Sequence, residues 1–335
     1  MKVSSRIGKI AAVLLAGAFL FFAGTGYVLM SPGTIEDLAG LVAVEGAAGE
    51  NGGRFYLVTV TQQQASPLLF IYGMFARDAD LEPSRQVIPP GMDQERYNEM
   101  MRRWMEDSQN LARVIAFRNA GFAVQITSDG VEVVEVGRDS PALGKLAAND
   151  LILAVDNQQV FLADELVQMV QQRRVGDPVT LRISRAGRER YITVSTVSHP
   201  DNYAKAALRV LVQTLDWQPR LPRSVKIDTG EITGPSAGLM FVLEILDQLD
   251  ERDLTAGRLI AGTGTINLKE QVGAIGGVRQ KVAAAEKAGA EYFILPRDNY
   301  SEALTIARHI KLVPVTTLSE ALEFLSGLYN GNSRN

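Results

Sequence analysis

The chain opens on an uncharged apolar run from Ile10 to Met30, preceded by Lys2, Arg6 and Lys9. At 1.5 Å per residue, this run of 21 residues spans about 31 Å, one bilayer core. The pattern predicts a single transmembrane anchor over 10–30. The basic segment 1–9 stays in the cytoplasm, and everything after about residue 31 lies outside. Ala23-Gly24-Thr25-Gly26 keeps open a cleaved signal peptide. Ser31-Pro32-Gly33 ends the run, and no second span follows.

The juxtamembrane region 31–118 reads as strands and a helix. Phe55 to Thr61 and Leu68 to Tyr72 are rich in β-branched and aromatic residues and predict strands. Glu82 to Met92, with three prolines and a glycine, predicts a loop. Asp93 to Asn119 carries a broken helical stripe of Met100, Met101, Trp104, Leu111, Val114 and Ile115. From 119 to 198 the period changes. Strands are predicted at Val131 to Val136 and Leu151 to Val155, a short helix at Asp164 to Arg173, and a hairpin from Val179 to Val194. From 201 to 330 helix and strand alternate. Helices are predicted at Asn202 to Leu215, Ser236 to Leu249, Gly277 to Ala288, Tyr300 to His309 and Leu318 to Leu328. Extended segments are predicted at Ser224 to Ile232, Leu259 to Ile266, Tyr292 to Leu295 and Lys311 to Val315. The expected architecture is multi-domain α+β: an N-terminal transmembrane helix, a compact domain of strands plus short helices, and an α/β domain.

Composition narrows the chemistry. A formal charge of −4 gives no reason to expect nucleic-acid binding. The absence of cysteine removes disulfides, thiolate nucleophiles and cysteine metal sites. With only two histidines, His199 and His309, no metal site is expected, and any Ser-His mechanism must use one of the two. No G-x-x-x-x-G-K-[ST] loop occurs, so no ATP is expected, nor any other cofactor.

The segment Gly234-Pro235-Ser236-Ala237-Gly238 satisfies G-x-S-x-G and offers Ser236 as a nucleophile. A Ser-acid-His order is met by Ser236, Asp298 and His309, but too few strands remain for the large parallel sheet that goes with that order. The other base is a lysine made neutral by burial. On a helix over 277–288, Val278, Val282 and Ala285 share one face, and Lys281 falls inside the same arc, between Ala285 and Ala288. Geometry alone leaves two readings: Lys281 turned into the core, or snorkelling to solvent past the alanines.

Two resemblances follow from these segments. GVEVVEVGRDSPA, LAANDLILAVDNQQV and GDPVTLRISRAGRERYITV, in that order around a helix, resemble a bacterial PDZ domain over 119–198. The resemblance implies peptide capture by strand addition, with Asn119, Ala120, Gly121 and Phe122 as the loop that caps a terminal carboxylate. Asn149 stands where the family usually has glycine; asparagine tolerates the left-handed conformation that glycine would supply. GPSAGLMF, AGTGTINLKEQVGAIGGVRQK and AAAEKAGAEYFILP resemble the proteolytic domain of Lon proteases over 225–296, within a domain expected at 201–330. That resemblance implies Ser236 as nucleophile, Lys281 as its partner and Thr263 as the residue that helps hold the lysine. Gly234 and Gly238 would leave room for close substrate approach, and Ser236 would start a helix after Pro235, which puts free backbone N–H groups nearby as oxyanion donors. Thr233 and Thr265 replace acidic residues found in many members.

The layout resembles membrane-anchored bacterial Lon-like proteases. It implies an ATP-independent Ser-Lys endopeptidase of the bacterial cell membrane with both domains extracytoplasmic. Its partners would be peptide or unfolded protein substrates, and by resemblance it would assemble as a homo-oligomer, a hexameric ring. Two other functions stay open at this point: an inert membrane-tethered PDZ scaffold or chaperone, and a Ser-His esterase dependent on His309.

Overall fold

The computed structural model describes residues 20–47, 52–88, 92–200, 202–215 and 217–332 of the 335-residue chain. Two compact units emerge. Gly121–Pro222 forms one, and it interrupts the chain of the other, which runs up to Ala120 and resumes at Arg223.

The first unit begins with β1 (Tyr27–Asp37), β2 (Val42–Val44), β3 (Arg54–Gln64), α1 (Pro67–Phe75), β4 (Asp80–Pro83) and α2 (Gln94–Asn119). The inserted unit holds β5 (Gln125–Thr127), β6 (Gly130–Val136), β7 (Leu151–Val155), α3 (Ala163–Gln171), β8 (Pro178–Arg185), β9 (Arg188–Ser195), β10 (Val210–Leu215) and β11 (Gln218–Arg220). The first unit then resumes with β12 (Val225–Ile227), α4 (Gly238–Leu249), β13 (Leu259–Gly262), α5 (Val278–Lys287), β14 (Tyr292–Pro296), β15 (Lys311–Val315) and α6 (Leu318–Asn332).

The first unit is built on a mixed sheet in the order β15-β14-β13-β3-β1-β4. β3, β13, β14 and β15 run parallel, and β1 is antiparallel to both β3 and β4. Strands covered on both faces read as continuous apolar runs, which is why Ile260-Ala261 and Tyr292 to Leu295 show no alternation. Val58, Ala261, Phe293 and Leu295 meet Val278, Val282 and Ala285 of α5 on one face. α4, in which ten residues are buried, covers the other, and α2 packs on α4. In the inserted unit the sheet order is β9-β8-β7-β6-β10, with Leu166 and Val170 of α3 on its core.

Several expectations need correction. The anchor expected over 10–30 falls largely outside the described residues, but its last part does not. Leu20–Phe22 are helical, and Tyr27 to Met30 belong to β1, with Val28, Leu29 and Met30 buried. Their apolarity serves a sheet core. Among the described residues no helix is long and apolar enough to cross a membrane. Leu68 to Tyr72, read as a strand, lies in α1. Ser66 caps that helix by accepting from the Leu69 N–H at 3.4 Å, and Pro67 occupies the first turn; this start signal outweighs the aromatic and β-branched content. The expected helix at Asn202 to Leu215 is absent. Val210–Leu215 is β10, paired antiparallel with β6 and packing Val210 and Val212 on the inserted core. The compact PDZ-type unit therefore reaches Pro222, and the segments before residue 119 supply strands and a helix to the other unit. The expected helix Tyr300 to His309 stops at Ala303. The Glu286 carboxylate accepts the N–H groups of Arg308, His309 and Ile310, which holds them out of a helical ladder.

Candidate active site

Ser236 sits in a tight turn, Pro235–Ala237, that runs directly into α4 at the buried Gly238. Gly234 precedes the turn at φ +93°, a conformation that glycine adopts without a Cβ penalty. Its N–H donates to the Met101 carbonyl of α2 at 3.0 Å, and a Cβ there would lie 2.8 Å from Met101 Cε. Ser108, two turns further along the same face of α2, donates its hydroxyl to the Pro235 carbonyl at 3.1 Å. The nucleophile turn is thus braced by the helix at 94–119. The sequence carried one signal for this: a polar Ser108 in the same buried stripe as Met105 and Ala112.

Lys281 reaches the same place from the opposite face of the sheet. It lies on α5 and is 3% exposed, so it points inward and does not snorkel. Its Nζ donates to Ser236 Oγ at 2.7 Å and to Thr263 Oγ1 at 2.9 Å. Thr263 follows the last residue of β13, its N–H held by Ile294 O at 2.9 Å. Its hydroxyl proton donates to the Ser236 carbonyl at 2.9 Å, so toward Nζ it acts only as an acceptor. The Ser236 carbonyl also takes the Gly264 N–H at 2.7 Å. The three residues converge beyond the carboxyl end of β13, where parallel sheets place their clefts.

Burial pushes the Lys281 ammonium down from 10.5 to about 7. Desolvation penalises the charged form, and among the described residues no ion pair to Lys281 offsets it. A neutral Nζ directs one N–H at Thr263 Oγ1 and keeps its lone pair for the Ser236 proton. The 2.7 Å contact then reverses direction, with the Ser236 hydroxyl donating. The separation is within the range for a nucleophile and its base.

The residues just before Lys281 are fixed by a group that the sequence did not single out. Asp80, at the start of β4, accepts from Arg279 Nη1 at 2.6 Å and from Gln280 Nε2 at 2.7 Å. Two bonds from one carboxylate to consecutive residues set the rotation of α5 and hence the direction of Lys281.

The other proposed groups lie elsewhere. His309 is exposed, with its backbone N–H on Glu286, and Asp298 is exposed in the turn after β14. Asn119 and Ala120 do not form a loop of the inserted unit. Asn119 is the last residue of α2, and its side-chain N–H groups donate to Ile115 O at 3.0 Å and Glu270 Oε1 at 2.7 Å. Ala120 caps the helix, and Gly121 follows at φ +86°, the left-handed stop that commonly ends a helix. Gly121 has this role because Asn119 and Ala120 contain no breaker; Phe122 follows it, partly buried. Asn149 has φ +66°, the conformation expected of a glycine substitute.

Residues 225–326 match the Lon protease (S16) C-terminal proteolytic domain, and residues 119–196 match the PDZ domain. The chain thus carries both domains. It is 31% identical over 107 residues to an archaeal Lon protease of Archaeoglobus fulgidus, a stretch that is 31% of this chain and 17% of that protein. It is 34% identical over 94 residues to a Lon protease of Xanthomonas oryzae, covering 27% of this chain and 11% of the relative. The chain therefore spans less than a fifth of the length of these curated relatives. The PDZ domain of an SdrC-like protein from Listeria innocua is 26% identical, covering 25% of this chain and 93% of that one, with a TM-score of 0.24.

Proposed function

We propose that the chain is an ATP-independent serine endopeptidase in which Ser236 attacks a peptide carbonyl and Lys281 is its general base. One observation carries the reading: a buried amine brought down to about 7 lies 2.7 Å from a serine hydroxyl at the head of a helix. Neutral Nζ takes the Ser236 proton as Oγ bonds the carbonyl carbon. The resulting ammonium gives that proton to the leaving amine, which departs as the acyl-enzyme forms. Nζ, neutral again, takes a proton from water as the hydroxide adds to the acyl carbon; when the Oγ–C bond breaks and the acid leaves, the ammonium returns that proton to Oγ, which restores Ser236 and neutral Lys281. The oxyanion needs donors. The Ser236 N–H comes ahead of any intrahelical acceptor in the turn, and the α4 dipole favours negative charge there. One such donor contributes about 3 kcal/mol.

The chain is held to a membrane by its N-terminal apolar run, with both units on the outer face. With Thr25 bonded to Ala65 and Tyr27 in β1, the uncharged run left for the membrane is Ile10 to Gly24, 15 residues, short of the roughly 17 that usually span a bilayer, so Lys9 and Arg6 would snorkel to the headgroups. Substrates are peptides and unfolded chains, because no ATPase motif is present to unfold others. A ring of identical chains is the assembly expected of this domain type.

The PDZ unit captures substrate. A cavity of about 520 Å³ lies between α3 (Leu166, Val167, Val170) and β10 (Val210, Val212). β10 is the last strand of its sheet, which leaves a backbone edge to which a peptide can add. Val167→Glu, at a half-exposed site, is expected to raise KM for an unfolded protein about tenfold and leave cleavage of a short peptide unchanged. Equal loss on both substrates would rule out a separate capture role.

The deciding assay is casein cleavage by the detergent-solubilised full chain without ATP. Ser236→Ala is expected to abolish cleavage and His309→Ala to retain it. Loss of activity in His309→Ala would instead favour a Ser-His hydrolase, and cleavage surviving Ser236→Ala would overturn the nucleophile assignment.

A further inference from the structure

α1 has the composition of a buried element and the exposure of a surface one. Its sequence, PLLFIYGMF, contains no charge, and none of its residues is buried. Leu69 and Phe70 pack on a small cluster of Leu29, Ala65 and Ala79, and the Phe70 ring meets Tyr27 edge-on at 5.0 Å. Leu68, Ile71, Tyr72 and Phe75, at i, i+3, i+4 and i+7, share the opposite face and are 44%, 52%, 53% and 79% exposed. An apolar face of this kind on a soluble surface marks an interaction site.

The root of α1 is tied to the N-terminal run. The Thr25 N–H and hydroxyl both donate to the Ala65 carbonyl, at 3.1 and 2.6 Å, and the Ala65 N–H donates to Tyr27 O at 2.8 Å. Just before Thr25, Phe21 and Phe22 are 62% and 87% exposed at the end of the uncharged segment. Two uncharged apolar surfaces therefore leave the body at the same point. Four side chains are far fewer than the roughly 20–30 residues a side of a standard protein interface. Nine residues at about 1.5 Å each are too short to span a bilayer, and the four exposed apolar side chains of one face are surface that burial among acyl chains would remove from water.

We propose that the outward face of α1 seats in the lipid interface beside the N-terminal run, giving the first unit a second membrane contact. The proposal rests on the anchored reading and adds an orientation to it. A lone anchor lets the unit tumble on its tether, whereas a second contact fixes which end of the sheet faces lipid. β3 runs from Arg54, paired with Leu259, to Gln64, paired with Val28. Leu259 is therefore about ten residues, or roughly 33 Å, from the α1 end of the sheet.

The chain contains no cysteine, so single cysteines can be placed in the full chain without background. Phe21→Cys, Ile71→Cys, Phe75→Cys and Leu259→Cys would each be labelled with an environment-sensitive fluorophore. The proteins would be reconstituted in phosphatidylethanolamine–phosphatidylglycerol vesicles containing acyl-chain quenchers. The expected result is severalfold quenching at 21, 71 and 75 and none at 259. Quenching at 21 without quenching at 71 and 75 overturns the α1 proposal and leaves the anchor standing. Quenching at 71 and 75 alone supports the lipid contact and removes the anchor. Silence at all sites removes both. Label-to-label self-quenching at 71 without lipid quenching overturns the proposal in favour of a contact between copies of this chain.

Discussion

Lys281→Met is expected to lose about 10⁴-fold in kcat/KM, the upper range for removal of a general base, and to remain folded. Methionine fills a similar volume and has nothing to ionise. The wild-type rate should rise with pH and level off above about 7, where the Nζ becomes neutral. An ordinary lysine at 10.5 would be neutral in only about one part in three thousand at pH 7. Stability gives an independent readout. The folded value lies below the unfolded one, so between about 7 and 10.5 the unfolded chain binds more protons and wild-type stability rises with pH. Below about 7 the whole cost of burying an ammonium is present. Lys281→Met should therefore be at least as stable as wild type at pH 7, should gain most below it, and should lose the upward slope. A variant that is inactive but markedly less stable at pH 6 would mean that Lys281 is charged and structurally paired, against the general-base assignment.

How much of this was legible in sequence depends on range. The face of α5 was readable because Val278, Val282 and Ala285 recur at helical spacing, and Lys281 is buried where that spacing put it. Whether it snorkelled was not readable, because the answer lies 18 and 45 residues away in Thr263 and Ser236. β10 stands where a helix was expected, because an alanine- and leucine-containing stretch has a weak period by itself. It becomes a strand through pairing with β6, more than seventy residues earlier. α1 differs from the expected strand for the opposite reason: the local start signal at Ser66-Pro67 outweighs the aromatic content that follows it. The Asp80 clamp and the Ser108 brace gave almost no local signal, since each acts through partners more than a hundred residues away. Both hold the site from the juxtamembrane strand and helix region, which the sequence placed outside the proteolytic domain.

Glu244→Gln is expected to stabilise the first unit above pH 7 by about 3 kcal/mol, an effect fading to nothing near pH 4.5. Glu244 lies two turns into α4 and is 3% exposed. Burial is the main cause pushing its carboxyl up from 4.5 to about 7. The hydrogen bond from Gln248 works against that, and Asp247 and Asp37 add to it. With the folded value raised, the folded chain binds more protons than the unfolded one between about 4.5 and 7. Stability therefore falls as pH rises through that window, and the full penalty stands above it. Glutamine can still accept the Gln248 Nε2–H bond, made at 2.7 Å, without carrying charge. The same Gln248 amide donates to Val42 O and accepts from the Val44 N–H, each at 2.9 Å, so it holds β2. β2 pairs with β12, which leads into the Ser236 turn. The chain's two tryptophans fall in different units, so Trp217→Phe leaves Trp104 of α2 to report on the first unit alone. In that background, urea midpoints of the chains with and without Glu244→Gln should differ at pH 8 and coincide at pH 4.5. Equal destabilisation by Glu244→Gln at both pH values would show that the buried carboxylate is favourably paired when charged.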